Sequence, residues 1–497
     1  MIVALFGQNG RSVVKCGIAE DVQNFRSKLR INRSKALQGS FQHISPLGKF
    51  KINYELDGDN KVPEEDLNQN NVPDYVEKIA IYLDESYTKL VSRAGFTDPI
   101  ESIYSVFFSS SPSYGSTWVE GNKTYIRLHN NFRDFPKNDD AVNWEGAAKV
   151  TCAHELKHAI QFKTSRWAEA VSWSELDATW AEEFVYPHVN DFHNYLEMSK
   201  SQIISPYVSL AGTRNASVGY GNSLFQLYLS SQLSESFFVE LWELRQQNPL
   251  KKYIETIEML LKQKQKRLNK EFHAYSKRLF FTGNRLQSFE TFNESDKMPT
   301  SSTKKRSLSL SEETEELIAP LGSERFEISF DIPETKGFPI FSLTRFSEDV
   351  QITLIIEGKD GSYYEQALTP SSDFLIDYQS PRMFYQIKKA YLIVSNSSKD
   401  AYESVFLRID KSREVALEEA VEFITNPVQY QLELSLNQAF PRVNIHVFNI
   451  LGQKVISYTK SNQNQPIQID MRRFSSGIYF VQIQYKYDVR VFRIVKL

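Results

Sequence analysis

Residues 150–162, with the sequence VTCAHELKHAIQF, carry two histidines spaced for metal binding. His154 and His158 stand four residues apart in a stretch without Pro or Gly, and such residues lie one above the other on an α-helix. Two imidazoles placed this way can hold one zinc ion. Glu155 would lie beside a water on that ion and could take its proton, while zinc lowers the pKa of the water and polarises a carbonyl. The spacing predicts metal-assisted hydrolysis.

The alternative for this stretch is a pair of surface histidines on an amphipathic helix. The flanking residues favour a buried helix instead, because Val150, Ala153, Ala159 and Ile160 are apolar.

A third ligand is expected downstream, in SWSELDATWAEEFVYP at 172–187. Glu175 on a second helix would complete a His2Glu site and leave the fourth position open. Glu182 is the competing carboxylate, and a carboxylate that only stabilises a helix start is the alternative for Glu175. We predict that Glu182 or Asp177 orients a ligand histidine through its other ring nitrogen.

A second metal site is predicted in DLNQNNVPDYVE at 66–77. Oxygen-bearing groups recur at the spacing of an EF-hand-type calcium loop, from Asp66, Asn68, Asn70, the carbonyl of Val72, Asp74 and Glu77. Asn71 replaces the usual glycine at position 6, although asparagine tolerates the left-handed conformation. A polar turn that caps the next helix is the alternative to structural Ca²⁺.

Composition sets limits on the partners and the location. The net charge of −3 gives no electrostatic reason to expect nucleic acid or an anionic membrane. The sequence has no apolar run long enough to span a membrane. The run from Met1 to Phe6 is typical either of the end of a signal peptide or of an N-terminal strand. Cys16 and Cys152 could form a disulfide or remain thiols.

The chain is predicted to be multidomain, with an α+β catalytic unit followed by two all-β sandwiches. TYIRLHN at 124–130 is either an edge strand that pairs with a peptide substrate or an ordinary sheet strand. Five units are expected. Residues 1–45 form an N-terminal segment, interpreted as a signal-peptide remnant or a pro-region, and residues 46–295 form the catalytic unit. An exposed linker at 296–316, a first β-sandwich at 317–412 and a second β unit at 419–497 follow.

The catalytic unit resembles the gluzincin metallopeptidases. HELKH followed by a Trp-flanked Glu is similar to the pattern of aminopeptidase-N-like enzymes, although Leu176 stands where many members have Gly and the spacer is shorter. A closer resemblance is to a family of secreted bacterial metallopeptidases with a D-x-N-x-N-x-x-P-D-Y loop, HExxH-A-I-Q and E-x-x-A-T-W-x-E. This resemblance implies a zincin-like fold, zinc as cofactor, His154, His158 and Glu175 as ligands, and Glu155 as general base.

Two further expectations come from the same resemblance. Gluzincins stabilise the oxyanion with a hydroxyl or imidazole, and Tyr220 between Gly219 and Gly221 is the candidate, with an aromatic packed under a helix start as the alternative. The G-x-M-E-N segment of the aminopeptidases is missing, which favours an endopeptidase acting on protein or peptide substrates.

The last seventy or so residues resemble a type IX secretion C-terminal sorting domain. The resemblance is carried by NPV at 426–428, NILGQ at 449–453, IDMRRFSSGIYFVQI at 469–483 and the closing FRIVKL. It implies the type IX machinery as a partner and a secreted or cell-surface location, reached through the periplasm of a Gram-negative bacterium. The alternative is a plain binding module. The predicted function is a secreted zinc endopeptidase, and the rival is a surface adhesin or binding protein on a degenerate peptidase scaffold.

Overall fold

The computed structural model describes most of the chain. The described residues are 5–6, 12–16, 41–285, 290–308, 312–330, 337–371, 373–411, 421–423, 425–436, 443–460, 466–485 and 488–497. They form a mixed α/β unit, a β-sandwich and a smaller all-β unit, each around its own buried apolar core.

A seven-stranded mixed sheet forms one side of the first unit. Its order is β1-β2-β6-β7-β5-β4-β3, where the strands are β1 Leu5–Phe6, β2 Ser12–Cys16, β3 Phe41–Ile44, β4 Phe50–Tyr54, β5 Tyr104–Ser109, β6 Ser113–Glu120 and β7 Lys123–His129. β5 is parallel to β4 and β7, β2 is parallel to β6, and the other pairs are antiparallel. β6 and β7 are joined by a two-residue turn in which Gly121 has φ 64°.

Helices pack against this sheet and extend beyond it. They are α1 Asp74–Tyr87, followed by a π-helical turn at Thr88–Arg93, then α2 Asn143–Ser165, α3 Val171–Val185, α4 His193–Leu196, α5 Ala216–Tyr220, α6 Leu224–Gln232, α7 Ser236–Gln247, α8 Tyr253–Gln263 and α9 Leu268–Phe280. α2 lies between β6 and β7 on one side and α1 and α3 on the other.

The ends of α2 follow ordinary helix chemistry. Glu145 lies in its first turn and Lys163 in its last, where each charge is favourable to the helix dipole. The helix stops at Arg166, which has φ 56° and adopts the left-handed conformation typical of helix ends.

Two sheets that share one apolar core form the central β-sandwich. The five-stranded sheet has the order β13-β12-β15-β10-β8 and the four-stranded sheet the order β14-β11-β16-β9. The strands are β8 Lys304–Leu308, β9 Glu313–Ile318, β10 Gly322–Phe330, β11 Pro339–Thr344, β12 Val350–Gly358, β13 Tyr363–Leu368, β14 Ile376–Gln379, β15 Ile387–Asn396 and β16 Glu403–Lys411, with a 3₁₀ turn at Phe384–Gln386.

The stretch at 296–316 does not form the expected exposed linker, because β8 and the start of β9 lie within it and are edge strands of the two sheets. Lys304 Nζ lies 2.6 Å from Glu316 Oε2, and Arg306 Nε donates to Glu316 Oε1 at 2.7 Å. Edge strands accommodate charged residues, and here opposite charges pair. Polar composition therefore did not exclude strands.

The expected separate segment at 1–45 also differs from the structure. Three of its stretches, β1, β2 and β3, are strands of the first unit's sheet, and β3 pairs directly with β4. One of the two interpretations of Met1 to Phe6 was an N-terminal strand, and a strand is found at Leu5–Phe6. Residues 1–4 lie outside the described part.

The C-terminal unit is also built from two sheets around one core. Their orders are β17-β18-β21 and β20-β19-β22-β23, from strands β17 Val421–Phe423, β18 Gln431–Leu436, β19 Val443–Asn449, β20 Lys454–Lys460, β21 Ile467–Asp470, β22 Gly477–Tyr485 and β23 Asp488–Lys496. The NILGQ hairpin turn is confirmed, because the Asn449 and Gln453 backbones are hydrogen-bonded and Gly452 has φ 75°. Among the described residues, no helix is both long and apolar enough to cross a membrane.

The first unit contacts the sandwich through α9. Phe280 and Phe281 pack with Ile355, Tyr391 and Ile393 in a small apolar cluster. His273, on the same helix, makes hydrogen bonds with Ser395 Oγ and Thr353 Oγ1, both at 2.8 Å. Burial, together with the charges of Lys277 and Lys270, lowers the pKa of His273 to about 3.

Acidification is expected to weaken this contact. The pKa of His273 is depressed in the folded chain, so the unfolded chain binds the proton first as the pH falls below about 6.5. Stability is then lost toward pH 3, by at most about 1.4 kcal/mol per pH unit. We expect the thermal midpoint to fall between pH 7 and pH 5 in wild type and to fall less in His273→Gln. Equal falls in both proteins would contradict this role of His273.

Candidate metal centre

The two motif histidines converge on one point inside the first unit. His154 and His158 lie one turn apart on α2, their Nε2 atoms are 3.1 Å apart, and their ring centroids are 4.7 Å apart. His154 is 1% exposed and His158 is fully buried. The surface-histidine alternative is therefore wrong.

Glu175, on α3, brings a carboxylate to the same point. Its Oε2 lies 3.1 Å from His154 Nε2 and 3.5 Å from His158 Nε2. α5 packs tightly behind Glu175. A Cβ on Gly219 would lie only 2.6 Å from Glu175 Cβ and 2.4 Å from the Ser172 carbonyl oxygen. Only glycine at 219 permits this approach of α5 to α3.

The other ring nitrogens of both histidines are occupied. His154 Nδ1 lies 2.6 Å from Glu182 Oε1, and His158 Nδ1 lies 2.8 Å from Gln161 Oε1. Gln161 Nε2 donates to the Ser174 carbonyl and to Asp177 Oδ2, so its Oε1 must face His158 as an acceptor. Both Nδ1 atoms therefore carry a proton and direct Nε2 toward the shared point.

The predicted orienting roles divide between the two acids named from the sequence. Glu182 contacts His154 directly. Asp177 acts one residue further back, through Gln161, and also accepts from Gln226, Trp242 and Tyr253. Gln161 was not predicted to orient His158, although it is the last residue of the HExxH-A-I-Q motif.

Without a metal ion, a proton on His154 balances the carboxylate charge in the centre. Burial lowers the pKa of His154, but hydrogen bonds with Glu175 and Glu182 outweigh it and raise that pKa to about 9. Burial raises the pKa of Glu175, but hydrogen bonds from His154 and His158 bring it down to about 2. A bound cation would take the place of this proton.

The donor set fits a zinc ion. Zinc bonds of about 2.0–2.3 Å in a tetrahedron place ligand atoms about 3.3–3.7 Å apart, close to the spacing found here. Glu175 Oε1 is buried and makes no hydrogen bond. In the part of the chain that the structure describes, this is the one place where three or more histidine, cysteine or carboxylate side chains bring ligand atoms within 4.8 Å of one another.

The fourth member of this cluster is Cys16, which was not predicted as a ligand. It lies on β2, is 4% exposed, and its Sγ is within 4.8 Å of the ligand atoms of His154, His158 and Glu175. Cys16 and Cys152 are thiols and form no disulfide. The only sequence signal was a cysteine at the end of SVVKC, a short strand-like run far from HELKH.

Glu155 lies beside the centre. One of its carboxylate oxygens accepts a side-chain hydrogen bond, and the other accepts none. Thr117, on β6, donates its hydroxyl to Glu155 Oε2 at 2.8 Å. Glu155 Oε1 is buried and makes no hydrogen bond. β6 can lie this close to Glu155 because residue 115 is glycine. A Cβ on Gly115 would lie only 2.9 Å from this Oε1.

Tyr220, at the end of α5, faces the same centre. Its ring centroid lies 6.3 Å from that of His154, and its buried hydroxyl makes no hydrogen bond. Burial raises the pKa of Tyr220, and the charge of Glu175 raises it further. The phenol therefore remains protonated and able to donate.

Lys157, inside the motif, points away from the centre into an aromatic pocket. Its Nζ lies 3.4 Å from the ring centroid of Phe96 and 3.4 Å from Asp177 Oδ2. Burial lowers its pKa to about 8, against the raising effect of Asp177. This lysine ties α2 to the same carboxylate that holds Gln161.

The strand expected as a possible substrate edge is not an edge. β7 lies between β6 and β5. The strand that contacts Glu155 is β6, and β2 pairs with the other side of β6. Strand order depends on contacts between distant residues, which a local pattern does not contain.

The predicted calcium loop lies before α1 and folds around its own acids. Asp66 accepts the backbone N–H groups of Asn70 and Asn71, at 3.2 and 2.9 Å. Asn71 has φ 65°, the left-handed conformation that position 6 requires. The side-chain amides of Asn68 and Asn70 donate to Glu77 at 2.8 and 2.7 Å.

The remaining predicted calcium ligands belong to the same loop. Asp74 accepts the Leu67 N–H at 3.3 Å, and the Val72 N–H donates to Asn70 Oδ1 at 2.8 Å. The loop is solvent-exposed, in contrast to the histidine centre.

Comparison with known families identifies the C-terminal unit. Residues 425–496 match the family described as the secretion system C-terminal sorting domain. The resemblance of the tail to a type IX sorting domain is confirmed over these residues. The protein is therefore exported by type IX secretion machinery, to the cell surface or the medium. No curated protein matches the chain.

Similarity to solved structures is slight. A biofilm-associated protein BSP domain is 11% identical over 32% of this chain and 45% of that chain, with a TM-score of 0.15. A β-1,2-glucanase from Parabacteroides distasonis is 9% identical over 33% of this chain and 28% of its own, with a TM-score of 0.13. A β-glucuronidase from Parabacteroides merdae is 11% identical over 33% and 28%, with a TM-score of 0.12. The chain thus spans less than half the length of each, and TM-scores this low carry no argument about function.

Proposed function

We propose that this secreted protein is a zinc-dependent endopeptidase whose first unit is a zincin-like catalytic unit. The observation that carries the proposal is the convergence of His154 Nε2, His158 Nε2 and Glu175 Oε2, each on a buried side chain. Both histidines are fixed from behind by Glu182 and Gln161.

The three converging side chains would hold the metal. A zinc ion there would polarise a peptide carbonyl and make a nearby water molecule more acidic. Glu182 and Gln161 keep the two imidazoles in the tautomer that presents Nε2.

Glu155 is the proposed general base. Thr117 fixes one carboxylate oxygen, which leaves Oε1 directed into the site and able to take a proton from water. The same carboxyl group, once protonated, can deliver that proton to the leaving amine. Water attacks the peptide carbonyl, the C–N bond breaks, and the carboxylate is regenerated.

Tyr220 is the proposed donor to the developing oxyanion. Its hydroxyl is protonated and faces the centre, so it is able to donate to a substrate oxygen. A buried donor aimed at developing charge is worth about 100-fold or more in rate.

Zinc content and hydrolysis together test this proposal. We expect about one tightly held zinc per chain, lost in the His154→Ala, His158→Ala double variant. Hydrolysis of unfolded proteins should stop with a chelator and return with zinc. Because Cys16 Sγ lies among the ligand atoms, the assay includes Cys16→Ala. A folded, zinc-loaded chain that binds proteins but cuts none, in either form, would favour the adhesin.

We also propose that the loop at 66–77 binds calcium and stabilises the start of α1. Glu77 already attracts the amides of Asn68 and Asn70, and a cation would attract their oxygens instead.

Calcium is expected to raise the thermal midpoint of wild type by several degrees, since a ligand at one hundred times its Kd adds about 2.7 kcal/mol. Glu77→Gln should lose this effect. Glu64→Gln, beside the loop and exposed, should keep it. An equal calcium response in all three proteins, measured by scanning calorimetry, would leave the loop as a polar turn.

A further inference from the structure

The metal centre is closed to solvent in this structure. His154 is 1% exposed, and Glu155 and Glu175 are fully buried. A peptidase must admit a peptide to these groups, so some element covers the site. Lys15 and Cys16, at 3% and 4% exposed, are part of that cover.

The Cys16 Sγ sits where a fourth ligand would be. It lies within 4.8 Å of the three converging ligand atoms. Thiolate is a strong zinc ligand, and a His2Glu site leaves one position for a further group. Occupation of that position by sulfur would leave no place there for water or substrate.

Lys15, the residue before Cys16, anchors the same strand. Its Nζ lies 2.9 Å from Glu182 Oε2 and 2.5 Å from Asp191 Oδ2, and 4.4 Å from the ring centroid of Tyr114. Glu182 uses its other oxygen on His154 Nδ1. One carboxylate therefore joins the N-terminal strand to a ligand histidine.

The backbone of β2 also occupies a position that suits a substrate. Val14 pairs with Ser113 and Cys16 pairs with Gly115, both on β6. Gly115 lies directly against Glu155. An extended peptide added to this edge of β6 would pass the general base, and β2 holds that edge instead.

We propose that Ser12–Cys16 is an inhibitory strand built into the chain, with the Cys16 thiolate as the fourth metal ligand and Lys15 as its anchor. The inference rests on the proposed zinc site. Peptides reach Glu155 only when this strand leaves β6.

Cobalt substitution in the full-length chain tests the ligand directly, because a Co²⁺–thiolate bond gives a charge-transfer band in the near ultraviolet. We expect the band in wild type and in Cys152→Ala, the matched control, whose thiol lies on the ligand helix but outside the cluster. The band should be lost in Cys16→Ala while cobalt still binds. In the zinc-loaded wild type, X-ray absorption should show one sulfur at about 2.3 Å.

Hydrolysis of an unfolded protein tests the inhibitory role. Cys16→Ala should cleave at least about tenfold faster than wild type, since loss of the sulfur ligand shifts the population toward the open site. Lys15→Met, which keeps the cysteine, should also raise the rate, and Cys152→Ala should not.

The outcomes separate the two proposals. Bound cobalt without a thiolate band in wild type overturns the role of Cys16 and leaves the peptidase standing. The expected band with no faster cleavage in Cys16→Ala or Lys15→Met overturns inhibition. No cobalt uptake by the folded wild type overturns the metal site and this inference with it.

Discussion

Glu155→Gln is expected to lower kcat/KM by about 100- to 10,000-fold, the contribution of a positioned general base. Glutamine keeps the shape of the side chain and can still accept from Thr117, but it cannot take a proton from water. Zinc content and thermal midpoint should be unchanged, because Glu155 is not among the converging ligand atoms. The comparison is best made by steady-state kinetics in the Cys16→Ala background as well as in wild type.

Glu145→Gln is the matched control for this prediction. Glu145 lies at the start of the same helix, paired with Lys78 at 2.6 Å and remote from the centre. Its replacement should leave kcat/KM within about twofold, as an exposed or half-buried ion pair contributes little. If Glu155→Gln retained the wild-type rate, Glu155 could not be the base.

Glu175→Gln is expected to weaken zinc binding by more than about 100-fold, since loss of even a group behind a ligand costs 10- to 100-fold. Glu175 is ionised, because hydrogen bonds from His154 and His158 outweigh burial and hold its pKa at about 2. The neutral amide removes that charge. It can still donate to an imidazole nitrogen, so the metal-free fold should persist. Competition with a chromogenic chelator measures the affinity.

Glu183→Gln, on the same helix, serves as the control for metal binding. Glu183 is not among the converging ligand atoms, and burial raises its pKa well above the usual range, with the charges of Glu182 and Asp191 raising it further. Zinc affinity should therefore not change. Equal losses in Glu175→Gln and Glu183→Gln would show a general disturbance of the helix and not the loss of a ligand.

The sequence predicted the convergent residues where local spacing decides geometry. A four-residue step on a helix places His154 over His158 whatever the rest of the chain does. Glu182 could be named as an orienting acid because it lies about two helical turns after Glu175, whereas Tyr220 was named from the resemblance to gluzincins. The left-handed conformation of Asn71 was predicted in the same way, from its place at position 6 of the loop.

Features set by distant contacts could not be predicted. Cys16 reaches the centre through the pairing of β2 with β6, and no local pattern specifies that pairing. The same reason explains why β7 was considered as an edge strand. Lys157 reads as a polar position in HELKH, yet Phe96 and Asp177 enclose it from other elements.

The most direct test of the peptidase proposal is a peptide-library digest read by mass spectrometry. The zinc-loaded full-length chain would be compared as wild type, as Cys16→Ala, and as Cys16→Ala with Glu155→Gln. The proposed function predicts internal cleavage that is strongest in Cys16→Ala and lost in the double variant. An uncut library with all three folded, zinc-loaded proteins, or equal cleavage with and without Glu155, would contradict it.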